Sequence, residues 1–167
     1  RRVLFRSLGT DAARWLALGT VNADVSVAVA QHVSLNGGAS MNPWTYARGD
    51  AQKQFQNRQL SCWGGGRWWP WHVYSGWWAG LDAAYLLYNS GGILSRATEE
   101  GEAWGGRLHG GYSVMLSEQW NLDIGLGLLG GWKHYTAYSC PLCGIITDQG
   151  DKVFLVPDAR VAIQLVF

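Results

Sequence analysis

Cys140-Pro-Leu-Cys143 is the pair of side chains in this 167-residue chain that most readily suggests chemistry. A Cys-x-x-Cys pair serves as a thiol–disulfide site or as half of a zinc site. Zinc needs two further ligands, and His134 is the only histidine nearby in sequence. A redox pair works at a helix N-terminus in a βαβ setting, which is missing around these cysteines. The spacing therefore predicts a small loop disulfide between Cys140 and Cys143, oxidised by an oxidising exterior. Cys62 makes the cysteine count three, an odd number that does not make a disulfide framework. Acyl transfer would need a nucleophile, a base and an orienting acid. Ser139, His134 and Asp148 supply those types without any spacing that joins them. Gly64-Gly65-Gly66, Gly105-Gly106 and Gly110-Gly111 lack the strand–helix setting and the Lys and Ser/Thr of a phosphate loop. Glycines of this kind mark bends in a curved sheet. No catalytic group, cofactor or metal is expected.

A second set of candidates emerges only from the elements that carry it. In WNLDIGLGLLGGW (Trp120 to Trp132), Leu122, Ile124, Leu126 and Leu128 alternate with Asn121, Asp123, Gly125 and Gly127. Period-two segments of this type, the signature of strands, cover nearly the whole chain. They predict eight strands over 9–18, 21–30, 33–46, 58–69, 75–88, 103–116, 120–133 and 153–167. The connectors alternate in length: Gln31-His32, Pro70 to Tyr74 and Ser117 to Gln119 are short, whereas Ala47 to Asn57, Asn89 to Glu102 and His134 to Lys152 are long and polar. Short turns at one end and long loops at the other are the pattern of a membrane barrel. A short connector near Gly19-Thr20 departs from it. About twelve residue steps from Trp120 to Trp132, at roughly 3.3 Å each and tilted by about 40°, rise by roughly 30 Å. That is the spacing of two aromatic belts. Trp68, Trp69, Trp71, Trp77 and Trp78 are expected in one, and Trp44, Tyr46, Tyr88, Trp104 and Tyr135 in the other.

With the aliphatic residues outward, strand parity turns Asp24, Arg67, Asp82, Arg107, His109, Asp123, Arg160 and Gln164 inward. An eight-stranded barrel has an interior that side chains fill. Both signs are present, so the expected outcome is a charge-paired plug rather than a catalytic or binding lumen. A hairpin symmetric about the Asn89 to Glu102 connector would set Asp82 opposite His109 with Arg107 diagonal to it. Barrel shear could instead bring Arg160 to Asp82.

Composition points the same way. Charged residues make up 15% of the chain, and there are 23 glycines and 11 tryptophans. Soluble domains carry roughly 25% charge. A formal charge of +1 gives no case for nucleic acid. No apolar run is long enough for a transmembrane helix. Arg1 to Ser7 resembles a translated sequencing adapter, so 1–7 is set apart from the fold as a metagenomic read artefact and 8–167 is taken as one barrel domain. A truncated read would also lose any signal peptide. A soluble calycin-like barrel binding a small apolar ligand would have to show water an exterior unusually poor in Lys and Glu.

From Leu8 onward the chain resembles a family of small outer-membrane barrels from Bacteroidota, classed as a domain of unknown function. The matching pieces are GTDAA from Gly9, TVNADVSVAVA from Thr20, HVSLNGGA from His32, and GGRLHGGYSVMLSEQWNLDIGLGLLGGWKHY from Gly105. Gly9, Asp11, Val21 and Val33 depart from the family's Lys, Asn, Pro and Trp. The resemblance implies the outer membrane of a Gram-negative cell and no known reaction. The chain is thus expected to be an all-β, eight-stranded antiparallel up-and-down transmembrane barrel with short periplasmic turns and longer extracellular loops. Its expected role is structural, anchoring or adhesive, with the lipid bilayer as partner and a protein or glycan meeting the loops. The alternative within the membrane is a lipid-modifying barrel enzyme.

Overall fold

The computed structural model describes residues 5–16, 19–46, 55–92, 97–141 and 143–167. Among them the elements run β1 (Arg6–Asp11), α1 (Ala12–Leu16), β2 (Val21–Ala30), β3 (Val33–Asn42), β4 (Thr45–Tyr46), β5 (Phe55–Trp68), β6 (Gly76–Gly91), β7 (Thr98–Met115), β8 (Trp120–Tyr138) and β9 (Ile146–Val166). Each strand pairs antiparallel with its neighbours in the order β3-β2-β1-β9-β8-β7-β6-β5-β4, and a further β3–β5 pairing closes eight of them into a ring. The two-residue β4 lies against the start of β5. Ring closure pairs both sides of the strands along the barrel wall, which limits the edge on which an all-β chain can template its own aggregation.

The eight expected strands are all present, with altered bounds. β1 begins at Arg6 rather than Gly9, so Arg6 and Ser7, set apart on sequence grounds, form part of the sheet. Arg6 and Phe167 exchange backbone hydrogen bonds at 2.9 Å, and Ser7 pairs with Ser26 and Val166. Residues 1–4 lie outside the described residues. The expected strand over 9–18 stops at Asp11, whose carboxylate accepts the Ala13 N–H at 3.0 Å and so caps the five-residue α1. Ala17 and Leu18, Ala47 to Gln54 of the first long connector and Ile93 to Arg96 of the second lie outside the described residues.

The second and third long connectors are largely strand. β6 and β7 stay paired out to Gly91↔Thr98, and β8 and β9 to Tyr138↔Ile146. The resulting β8 has 19 residues and β9 has 21. These two hairpins therefore rise well past the Trp104–Trp132 contact, where the rings lie 5.1 Å apart.

The hydrophobic core lies at the short-turn end. Trp69, Val73, Tyr74, Trp78 and Ala28 pack together there under the β5–β6 turn. Trp69 meets Tyr74 edge-on at 5.7 Å and Trp78 at 6.3 Å. Trp69 and Trp78 are therefore not belt residues as expected. Trp68, Trp71 and Trp77 do face outward, and Trp77 contacts Tyr112. The inward Trp78 ring needs glycine opposite it, since a Cβ on Gly111 or Gly125 would sit 2.8 or 2.9 Å from ring carbons. In the second belt, Tyr135 is likewise buried, and Tyr88 points inward beside it. Trp44, Tyr46 and Trp104 are exposed.

Candidate functional site: the charge-paired interior

Residues that alternate along β2, β5, β6, β7, β8 and β9 share the inner face, because successive strand side chains point to opposite sides. The structure buries all eight of the residues expected inside: Asp24, Arg67, Asp82, Arg107, His109, Asp123, Arg160 and Gln164. They form two connected groups. In the group nearer the short turns, Arg67 Nη1 donates to Asp123 Oδ2 at 2.8 Å, and Gln164 Nε2 donates to the same oxygen at 3.1 Å. Arg160 Nη2 donates to Asp24 at 2.9 Å, and its Nε lies 3.6 Å from Asp123. Arg67 also stacks 4.3 Å over the Trp78 ring, which ties the charge layer to the aromatic core beneath.

The second group centres on Asp82. Arg107 grips its carboxylate with both Nε, at 3.0 Å, and Nη2, while Asn36 Nδ2 donates to the other oxygen at 2.8 Å. His109 Nε2 lies 3.2 Å away, a close approach without hydrogen-bond alignment. The expected trio of Asp82, Arg107 and His109 is thus assembled, but in a different register. Asp82 faces Arg107 directly, and Gly80 faces His109. A shift of two residues keeps the same face inward, which is why the partners survive the change. Arg160 belongs to Asp24 and Asp123 and does not replace Arg107 at Asp82.

Three further charges line the interior and were missed from sequence. Asp158 accepts from Arg107 Nη1 at 3.0 Å. Arg14, on α1, has its Nη2 3.7 Å from Asp158 and its Nε 3.6 Å from Asp11. Asp158 was legible, since it lies two residues before Arg160 on one strand. Asp11 and Arg14 were hidden by reading α1 as strand. On the short-turn side of the Trp104–Trp132 contact the described interior then holds four arginines (14, 67, 107, 160) and five aspartates (11, 24, 82, 123, 158), an excess of one negative charge with His109 neutral. So close a balance in a closed space is what buried ions require.

Beyond the Trp104–Trp132 contact the inner face carries a third cluster. Glu99 accepts from Lys133 Nζ and Tyr88 Oη, both at 2.5 Å, and Asp148 accepts from Tyr135 Oη at 2.6 Å. Burial acts to raise the Glu99 carboxyl, but the hydrogen bonds from Lys133 and Tyr88 outweigh it and hold it below its usual 4.5. A carboxyl lowered on folding adds stability that is present above about pH 4.5 and lost as pH falls through the lower folded value. The melting-temperature gap between wild type and Glu99→Gln should therefore be constant above that pH and shrink below it. A gap independent of pH down to 2.5 would show that the Glu99 charge does not contribute.

The other sequence candidates are not brought together. His134 faces the outer side and contacts Asp151 at 2.8 Å, Ser139 Oγ contacts the Cys143 sulfur, and Asp148 is held by Tyr135. Cys140 and Cys143 are bonded to each other in the β8–β9 loop, and Cys62 is free and exposed on the outward face of β5. No group of three or more potential metal ligands occurs among the described residues.

Comparison with known families matches residues 7–167 to a family described as "Protein of unknown function (DUF3575)". No curated protein matches the chain. The chain belongs to that family of unknown function.

Proposed function

We propose that this family member is an eight-stranded outer-membrane barrel of a Gram-negative bacterium, of the Bacteroidota type, with a structural, anchoring or adhesive role. The observation that carries the reading is the inversion of the barrel. Its interior holds nine charged side chains and a histidine, while Leu81, Leu108 and Leu126 stand 64%, 65% and 73% exposed on its outer wall. Val25, Leu35, Leu60, Ile124, Leu128, Val161 and Ile163 join them. Removing one such side chain from water is worth about 1.5–3 kcal/mol, so a wall of them favours a hydrocarbon environment strongly. A calycin-type barrel would place the two faces the other way round.

Aromatic side chains fit the two interfaces of such a wall: Trp68, Trp71, Trp77 and Tyr112 at the short-turn end, and Trp104, Trp132, Trp44 and Tyr46 at the other. A spanning strand needs about 9–11 residues. The 19 and 21 residues of β8 and β9 far exceed this, which favours a ribbon standing clear of the bilayer as the contact surface for a protein or glycan. The reading assigns no reaction, and the paired charges of the interior serve stability.

Leu126→Arg tests it. Near mid-height of a lipid-facing wall the substitution should cost about 2–4 kcal/mol, read as a lower urea midpoint of the chain folded in vesicles. The wild type should also need detergent to stay monomeric in gel filtration. A folded, detergent-free monomer that tolerates Leu126→Arg would support the soluble barrel instead.

A further inference from the structure

Eight of the ten interior ionic side chains are sealed: Asp11, Asp24, Arg67, Asp82, Arg107, His109, Asp123 and Arg160 are each 5% exposed or less. Arg14 and Asp158 differ, at 23% and 24%. Both face a chamber of about 340 Å³ that lies above the Asp82 group, towards the long-loop end. Its polar lining includes Arg14, Asp158, Gln59 and Arg107, and the three guanidinium nitrogens of Arg107 are already bonded to Asp82 and Asp158. Its apolar lining includes Trp63, Leu86 and Leu129.

The two exposed charges have unused hydrogen-bonding capacity. Among the described residues Arg14 makes one side-chain hydrogen bond, from Nη1 to Ser40 at 3.4 Å, and its approaches to Asp11 and Asp158 are 3.6 and 3.7 Å. Its guanidinium lies 4.6 Å over the Trp63 ring, which fixes the plane of the group and leaves its edge for an acceptor. A stacked guanidinium of this kind is preorganised for a carboxylate, which it can hold by two parallel N–H bonds. Asp158 is fixed from the other side, since its Oδ2 accepts from Arg107 at 3.0 Å, while among the described residues Oδ1 makes only the long approach to Arg14. A fixed donor group and a fixed anionic acceptor thus face one small chamber that also has an apolar lining.

We infer that this chamber binds a small zwitterion, an α-amino acid with an apolar side chain. The ligand carboxylate would meet Arg14, its ammonium would meet Asp158 Oδ1, and its side chain would lie against Leu86 and Leu129. A simple anion would gain Arg14 and be repelled by Asp158, and a simple cation would suffer the reverse. A zwitterion satisfies both. The volume is at the low end of small-molecule pockets, which run from about 300 to 1,000 Å³, and so favours a single amino acid over a peptide. The inference uses only the interior and is independent of what covers the outer wall.

Calorimetric titration of the full chain in detergent with L-leucine, N-acetyl-leucine and leucine methyl ester tests this assignment. Leucine should bind, and each derivative, having lost one of the two charges, should bind at least tenfold more weakly. Arg14→Gln should abolish binding. Leu86→Trp, which fills the chamber without touching an ion pair, should also abolish it while leaving the far-ultraviolet circular dichroism unchanged. Equal binding of leucine and N-acetyl-leucine would make the chamber an anion site. No binding of leucine at millimolar concentration, or full binding by Leu86→Trp, would remove the assignment altogether.

Discussion

Asp82→Ala should be among the most destabilising single changes in the barrel, lowering stability by about 3–5 kcal/mol, the usual result of removing one member of a buried ion pair. Asp82 is 2% exposed and holds Arg107 through two guanidinium nitrogens, with Asn36 and His109 around it. Its loss leaves Arg107 with Asp158, a carboxylate already shared with Arg14. Asp148 provides the comparison, because it is a carboxylate of similar type that is 58% exposed in the long-loop cluster. Exposed pairs contribute about 0–1 kcal/mol, so Asp148→Ala should shift the urea midpoint little. Equal midpoints for the two variants would mean that the interior charges are not coupled as the distances imply.

Trp69→Ala should cost a similar amount, about 3–5 kcal/mol, by a different mechanism: it removes a fully buried tryptophan from the core and leaves a cavity. Trp69 is fully buried, donates from Nε1 to Ser34 Oγ at 3.1 Å and packs on both Tyr74 and Trp78. The variant should nevertheless carry no steady ion current in a planar bilayer, because the layer of Arg67, Asp123, Arg160 and Asp24 still closes the barrel above the cavity. The wild type should be silent too. An ohmic current of defined size in either protein would contradict a closed interior.

Much of this architecture was legible in the sequence, and the rest was obscured for identifiable reasons. Period-two alternation is strong where one face is aliphatic, as from Leu122 to Leu128, and there it gave both the strand and the inward set. It fades in the hairpin extensions, such as His134 to Tyr138 paired with Ile146 to Asp151, where neither face is continuously aliphatic. Those segments are held by cross-strand pairs, among them His134 with Asp151, that hydropathy does not reveal.

Trp69 and Trp78 were misplaced because aromatic identity was allowed to outrank parity. Trp69 lies two residues from Arg67, and Trp78 four from Asp82, so each shares an inward face. Asp158 follows from Arg160 by the same rule. α1 is a different case: five residues behind an Asp11 cap are too short to show helical periodicity, and Arg14 is inside because of that turn. The Asp82 register depended on where a hairpin turns, which symmetry about a polar segment cannot fix.

The outward wall itself can be read directly. Nitroxide spin labels placed one at a time at positions 124, 126 and 128, in a cysteine-free background folded into vesicles, report what each position touches. Collisions with oxygen, which dissolves in hydrocarbon, should be frequent at all three. Collisions with a water-soluble nickel chelate should be rare, and rarest at 126. Frequent nickel collisions at all three positions, with the chain still folded, would place this wall in water and contradict a membrane-spanning barrel.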